Sequence, residues 1–147
     1  MTQETRIKER KYHCRGKVLR HDPMTNPADG WVTGFYYQDL CGGEIRHFIR
    51  NGEMSWEIIP ESVGKFMGYN GDGDEIFEGD ILSYEHLLVV IGYEEETGMF
   101  LKHLYVTDGI DTDTVIMDGG ESGFLRGELK IFRKKGNMFD NKNMIRK

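Results

Sequence analysis

The chain has 147 residues, of which 12% are aromatic and 30% charged, so it is long and apolar enough for one compact domain or two small ones. Its 25 acidic and 19 basic side chains give a formal net charge of −6. No apolar run approaches the roughly 18 residues of a membrane helix, and the N-terminus lacks the apolar stretch of a signal peptide. These observations exclude a large multidomain enzyme and predict a soluble, cytoplasmic protein that contacts no membrane.

Glycine dominates the backbone composition. The chain has 19 glycines but only one alanine, Ala28. Alanine is the best helix former, and glycine is less favourable by about 1 kcal/mol per helical residue. Residues that favour strands instead fall into short runs separated by Gly, Asn and Asp. The composition therefore predicts a mainly β protein without long helices.

In the first half of the chain, the pattern predicts an initial strand at 11–19 and then an antiparallel β-meander. The meander comprises strands at 31–40, 44–50 and 53–59. A glycine loop at 41–43 connects the first two, and Asn51-Gly52 predicts a type I′ turn before the third.

The second half begins after Pro60, which ends the third strand because it has no backbone donor. One helical turn is predicted at 61–63. The predicted extended segments are 65–67, 75–82 with a bend at Gly79, 87–93, 99–106, a short piece at 114–117 within a loop at 108–123, and 128–133. About five strands in this half suit a small barrel, which divides the chain into regions 1–67 and 68–147 within one compact unit.

Charge is segregated along the chain. Residues 1–20 carry seven basic and two acidic side chains, residues 126–147 carry eight and two, and the middle carries four and 21. The basic ends could contact nucleic-acid phosphates, or they could pair with the acidic middle within the fold or across a subunit interface. The second interpretation is favoured because the whole chain is acidic. The nucleic-acid alternative would use Arg6, Lys8, Arg10, Lys11, Lys130, Arg133, Lys134 and Lys135.

Two acidic segments invite a metal interpretation. Asn70-Gly-Asp-Gly-Asp74 resembles the start of a calcium loop, but Glu75 and Ile81 stand where such a loop needs glycine and a bidentate glutamate. The segment from Asp108 to Asp118 could bind a cation or serve a hydrolase. A glycine-rich turn and a solvated loop are the favoured interpretations.

Histidine and cysteine show no zinc spacing, and the cysteines Cys14 and Cys41 are expected to be core-facing thiols. Hydrolase, nucleotide and dinucleotide motifs are also missing from the sequence. The sequence thus predicts no catalytic residue, no metal and no cofactor. Enzymatic activity is not excluded, but a protein without it is favoured.

Six aromatic residues of the meander form one further group. They could make a base-stacking platform, as in single-strand binders, or build the core. Residues two apart in a strand share a face, so Phe35 and Tyr37 lie on one side and Tyr36 on the other. A core with one exposed ring is the favoured interpretation. The six are Trp31, Phe35, Tyr36, Tyr37, Phe48 and Trp56.

Several blocks of the chain resemble the YopX family of phage and prophage proteins. They are Cys14-Arg-Gly-Lys17, Gly30-Trp-Val-Thr-Gly-Phe35, Ile58-Ile-Pro-Glu-Ser-Val-Gly-Lys-Phe-Met-Gly68, Asp72-Gly-Asp-Glu-Ile-Phe-Glu-Gly-Asp-Ile81 and Gly136-Asn-Met-Phe-Asp-Asn141. The turn between Gly68 and Glu75 is one residue shorter than usual, and Lys142 stands where proline is common. The resemblance implies a mainly β protein whose second half is similar to an SH3-like β-barrel, encoded by a mobile element and acting in the host cytoplasm. It implies no reaction.

The shared blocks are interpreted as fold determinants. In Glu78-Gly79-Asp80, glycine supplies a bend and Asp80 can cap backbone amides in the turn. We therefore expect a non-enzymatic accessory protein that self-associates and binds an unknown protein, with nucleic-acid binding as the alternative. The block residues assigned to the fold are Arg15, Gly16, Lys17, Trp31, Gly34, Pro60, Glu61, Gly64, Gly68, Glu78, Gly79 and Asp80.

Overall fold

A computed structural model describes residues 13–20, 22, 27–108 and 115–145. It divides into two compact units, Met1–Phe66 and Met67–Lys147, next to the boundary expected between 67 and 68. The strands are β1 His13–Lys17, β2 Trp31–Cys41, β3 Glu44–Asn51, β4 Met54–Glu57, β5 Gly64–Tyr69, β6 Glu75–Phe77, β7 Asp80–Tyr84, β8 Leu87–Glu94, β9 Met99–Thr107, β10 Val115–Gly123 and β11 Arg133–Asn137. The prediction of a mainly β fold is confirmed.

The first unit is an antiparallel sheet in the order β4-β3-β2-β1-β5, and β6 follows β5 in the strand order. The predicted meander of β2, β3 and β4 is confirmed by continuous antiparallel registers. A 3₁₀ turn at Pro60–Ser62 replaces the strand after β4, as the proline predicted. Its Ser62 hydroxyl accepts the backbone N–H of Lys17 at 2.7 Å, which attaches the turn to β1.

The two hairpin turns of this sheet differ in how glycine is used. Gly42 and Gly43 both have positive φ, as a two-residue type I′ loop requires. The next turn consists of Gly52 and Glu53, because Asn51 still pairs with Met54. Only Gly52 has positive φ there, which fits type II′, so the predicted Asn51-Gly52 type I′ turn is wrong by one residue.

One face of the first sheet carries the core of this unit. Cys14, Val18, Val32, Ile49 and Ile58 are all buried there, and Tyr36, Trp56 and Val63 pack against them. Gly16 lies against the same cluster, since a Cβ at this position would come within 2.6 Å of the Ile58 Cδ1 atom. The core-facing positions of β1, Cys14 and Gly16, therefore need small side chains so that the cluster can pack against this strand.

The second unit contains an antiparallel sheet in the order β10-β9-β8-β7-β11. Within the described residues, β10 pairs only with β9 and β11 only with β7, so the sheet is open. The expected SH3-like barrel is therefore not observed. The core of this unit contains Met67, Ile76, Leu82, Val89, Ile91, Phe124, Leu129 and Phe132.

Two predictions in this unit are wrong. Residues 115–123 form the full strand β10, although 108–123 was expected to be mostly loop. Register shifts beside Met117 and before Gly120 let a glycine-containing strand stay paired, and such bulges hide the alternation that predicts a strand. The segment predicted as a strand at 128–133 is a 3₁₀ helix, Arg126–Ile131, followed by β11.

Candidate functional site

The β2–β3 hairpin extends beyond the described parts of its neighbouring strands in the first sheet. Strand β1 pairs with β2 as far as Phe35, and β4 pairs with β3 as far as Phe48. Within the described residues, the strand positions among 38–45 pair only with each other. We call residues 38–45 the hairpin arm. An isolated two-stranded hairpin is only marginally stable in water, so the arm gains little from its own hydrogen bonds.

The hairpin arm presents two large aliphatic side chains directly opposite each other. Leu40 pairs with Ile45 across the strands, and these residues are 69% and 62% exposed. Ile45 also lines an open groove of about 400 Å³ in the first unit. The remaining lining residues are Leu19, Arg20, Glu44, Arg46, His47, Glu57, Ile58 and Pro60. An apolar pair beside a groove of mixed charge has the composition of a protein contact surface.

The opposite face of the same sheet carries a row of aromatic rings. Phe35 lies beside Tyr37 with ring centroids 6.4 Å apart, and Tyr37 lies 5.3 Å from Phe48 across the strand pair. The three ring planes are nearly parallel, at 25° and 15°. The Tyr37 hydroxyl is 2.6 Å from the Ser55 hydroxyl on β4.

The predicted division of Phe35 and Tyr37 from Tyr36 is confirmed by the register, but the assignment of faces is wrong. Tyr36 packs against the core, whereas Phe35 is 46% exposed. The core of this unit is filled mainly by aliphatic side chains, which leaves two rings of β2 on the outside instead of one. The alternation of side chains along a strand identifies which residues share a face, but it does not show which of the two faces packs against the core.

Two cations from the sequence blocks described above lie against the Trp31 ring. The Arg15 guanidinium lies 4.8 Å from the centroid of the indole ring, and the Lys17 Nζ lies 5.4 Å from it. Arg15 is buried, so its planar group is held against the ring. Gly64 pairs with Arg15 on β5, which adds a fourth block residue to this group.

A second group of block residues organises the β6–β7 bend. The Phe77 N–H donates to the fully buried Asp80 carboxylate at 2.7 Å, which confirms the predicted capping role of this residue. Gly79 between them has a φ of 90°. The Lys134 Nζ donates to the Glu75 carbonyl at 3.0 Å and lies 3.6 Å from the Asp80 carboxylate.

The contacts of Lys134 bear on the nucleic-acid alternative. This residue was a predicted phosphate contact, but its ammonium group is directed at the β6–β7 bend. Arg133 and Lys135 are exposed on β11, and Lys130 is exposed in the preceding 3₁₀ helix. The other predicted contacts, Arg6, Lys8, Arg10 and Lys11, lie outside the described residues.

The loop that resembles a calcium site is organised by Asn70. Its side-chain oxygen accepts the N–H groups of Asp72 and Asp74, and its Nδ2 donates to the Phe132 carbonyl at 3.3 Å. The asparagine side chain is thus used as a turn organiser. In the part of the chain that the structure describes, no group of three or more His, Cys, Asp or Glu residues could hold a metal ion.

Asp118 of the second acidic segment contacts β9. Its carboxylate lies 2.6 Å from His103 Nε2 and accepts the Gly120 N–H at 2.9 Å. The His103 ring stacks on Tyr105 at 4.5 Å. Partial burial, with the Asp118 charge as the smaller cause, raises the pKa of Tyr105 above its usual value. Asp111 and Asp113 of this segment lie outside the described residues.

Cys14 and Cys41 are not disulfide-bonded. Cys14 belongs to the core of the first unit, as predicted. Cys41 is half-buried at the end of β2, on the hairpin arm, so its prediction as a core residue is wrong. The arm places it beyond the reach of the hydrophobic cluster.

Glu128 connects the second 3₁₀ helix to β9. Its carboxylate accepts the Leu125 N–H at 2.7 Å and the Lys102 ammonium at 2.7 Å. The hydrogen bond from Lys102, followed by the one from Leu125, lowers the pKa of Glu128 below its usual value. The ionised form is therefore favoured in the folded chain.

We expect Glu128→Gln to lower the free energy of unfolding by about 0.5 kcal/mol at pH 7, a small effect because the side chain is 38% exposed. A lowered folded pKa stabilises the fold above the unfolded glutamate pKa of about 4.3, and this stabilisation is lost as the pH falls through the folded pKa. Urea unfolding at pH 7, 5 and 3 should show the difference from wild type shrinking at pH 3. Glu96→Gln, in the exposed β8–β9 turn, is the control. A difference that stays constant with pH would contradict the assignment.

Comparisons with known proteins give no match: no family model, no curated protein and no solved structure is similar to this chain. The described helical segments are 3₁₀ turns of three to six residues, so none of them is long and apolar enough to span a membrane.

Sequence reasoning missed the hairpin arm. Leu40 and Ile45 were expected within two strands of the meander, where apolar residues indicate burial. The predicted strand lengths gave no signal of it, because a third strand at 53–59 is long enough to pair with the whole of 44–50. The groove beside Ile45 depends on tertiary contacts, which the sequence pattern does not show either.

Proposed function

We propose that the chain is a YopX-like accessory protein of a phage or prophage that acts in the host cytoplasm by binding protein, and that it self-associates through the hairpin arm. The observation that carries this proposal is the exposed cross-strand pair of Leu40 and Ile45, with which neither β1 nor β4 pairs within the described residues. Burying two such side chains contributes about 3 to 6 kcal/mol, which no contact within the arm provides.

A second copy of the same chain is the partner that the groove favours. Its charged lining residues are two bases, Arg20 and Arg46, and two acids, Glu44 and Glu57. A two-fold contact brings the same surface of each copy together, so a surface of balanced charge can face itself without net repulsion. Arg46 and Glu57 lie 3.8 Å apart and are partly exposed, which leaves both able to exchange partners at the rim of a contact.

The double variant Leu40→Lys with Ile45→Lys tests this proposal. We expect wild type to form a dimer at micromolar concentration and the variant to weaken the dimer at least 100-fold, because two ammonium groups would replace the apolar contact. Sedimentation equilibrium between 1 and 100 µM measures the dissociation constant. Leu125→Lys, at an exposed leucine of the second unit, is the control and should dimerise like wild type.

Two results would contradict the proposal. A wild-type chain that stays monomeric at 100 µM would remove self-association. A wild-type dimer that the double variant leaves unchanged would place the contact elsewhere than on the hairpin arm.

A further inference from the structure

The outer face of the first sheet combines stacked rings with cations. We define the aromatic face as Trp31, Phe35, Tyr37, Phe48 and Arg50. The register places Phe35 opposite Arg50 and Tyr37 opposite Phe48, so these four lie together on one side of β2 and β3. Trp31 is on the same side because it is an even number of residues from Phe35.

The core of the first unit does not use this face. Alternate residues of the same strands, Val32, Tyr36 and Ile49, fill the core on the opposite side. Phe35 keeps nearly half of its surface exposed, and Tyr37 and Phe48 are only half-buried. Because aromatic side chains contribute most when their large surface is buried, a row of partly exposed rings indicates a surface for a ligand with flat apolar groups.

Charge on this side of the sheet changes along the strands. At the Trp31 end it carries Lys17, Arg15 and Arg50, and the strand positions among them carry no carboxylate. The acidic residues of the same side are Asp39, Glu44 and Glu57. Asp39 and Glu44 lie on the hairpin arm, whereas Glu57 lies opposite Phe48 with its carboxylate 3.8 Å from Arg46. A chain with a net charge of −6 thus presents a basic patch next to its exposed rings. Flat apolar groups attached to a polyanion are the ligand that fits both properties.

We propose that the aromatic face binds single-stranded nucleic acid, with bases stacking on the rings of Phe35, Tyr37 and Phe48 and the phosphates contacting Arg50 and Lys17. The nearly parallel ring planes allow successive bases to stack in one orientation. A duplex hides its base faces within its own stack, so it cannot make these contacts. This activity goes beyond the proposed self-association, and its residues are separate from Leu40 and Ile45.

Binding is measured on the full chain by fluorescence anisotropy with labelled 20-nucleotide oligo(dT), 20-nucleotide oligo(U) and a 20-base-pair DNA duplex. We expect both single strands to bind at least tenfold more tightly than the duplex, and binding to weaken between 50 and 200 mM salt. The ratio of oligo(dT) to oligo(U) affinity distinguishes DNA from RNA as the preferred ligand. Quenching of tryptophan fluorescence during the titration reports contact at the first unit, which contains both tryptophans.

Single substitutions locate the contact. Tyr37→Leu and Phe48→Leu keep apolar volume but remove a ring, and each should weaken binding about tenfold. Tyr37→Trp should retain it. Arg50→Gln should lower the slope of log affinity against log salt by about one. Tyr69→Leu, at an exposed tyrosine of the second unit, is the control and should bind like wild type.

The proposal is overturned by any of three results. The first is that wild type fails to bind either single strand at 100 µM protein and 50 mM salt. The second is that both ring variants bind as tightly as wild type. The third is that binding is lost only when Lys130, Arg133 and Lys135 are neutralised, which would assign it to the basic C-terminal segment. A neutral double variant, Leu40→Ser with Ile45→Ser, should bind with wild-type affinity per chain, so failure of self-association is distinguishable from failure of this proposal.

Discussion

Gly34→Val is expected to unfold the first unit at room temperature or leave it marginally stable. Gly34 has a φ of 152°, a conformation that side chains with a Cβ rarely adopt. A Cβ at this position would also lie 2.3 Å from the Arg50 carbonyl oxygen, so β2 and β3 would have to separate. Backbone strain and overpacking together should lower the free energy of unfolding by about 3 to 5 kcal/mol, against a typical total of 5 to 15.

Tryptophan fluorescence is a specific measurement for this prediction. The chain has two tryptophans, Trp31 and Trp56, and both belong to the first unit. Urea titration of the variant should show red-shifted emission at much lower urea than wild type. Thr33→Val is the matched control, because it places valine at the adjacent position of β2 without the unusual φ. A Gly34→Val chain that melts within 1 kcal/mol of wild type would show that β2 can relax at this position.

Gly79→Val is expected to produce the corresponding loss in the second unit. Gly79 has a φ of 90°, its N–H donates to the Ile91 carbonyl, and its carbonyl accepts the Met138 N–H. Valine cannot take this φ without strain, and a change of φ would break both hydrogen bonds beside the buried Asp80 carboxylate. We expect a loss of about 3 to 4 kcal/mol in the free energy of unfolding.

Hydrogen exchange followed by mass spectrometry measures this loss where it occurs. Peptides covering β7 and β8 should exchange much faster in the variant than in wild type. Gly127→Val is the control, since Gly127 has no positive φ and a Cβ there would meet nothing within 4 Å. If both variants exchange alike, the bend is not a determinant of this fold.

The sequence predicts the parts of this fold that depend on interactions between neighbouring residues. It does not predict the parts that depend on residues far apart in the chain. Turn positions such as Gly73 and Gly79 were predictable because a positive φ is a local requirement that glycine satisfies. The strand at 115–123 was not, because its bulges are stabilised by pairing with β9, a partner that the local pattern does not reveal. Whether the second sheet closes depends on contacts between distant strands. An open sheet and a small barrel therefore share one strand pattern.

The candidate surfaces depend even more on tertiary structure. The sequence indicated correctly that Phe35 and Tyr37 share a face, because side-chain direction alternates in every strand. It did not indicate which face the core occupies, since aromatic and aliphatic residues are both typical of buried positions. Leu40 and Ile45 were unrecognised for the same reason: they have the composition of core residues, but they lie beyond the described pairing of β1 and β4 with the hairpin.

The outer edge of β11 limits how these units can assemble. Open sheets can grow into continuous ribbons when an uncovered edge of one copy hydrogen-bonds to that of the next. Here that edge carries the exposed cations Arg133 and Lys135, so two copies aligned edge to edge would bring like charges together. Lateral polymerisation along this strand is thereby disfavoured, whatever other contacts the chain makes.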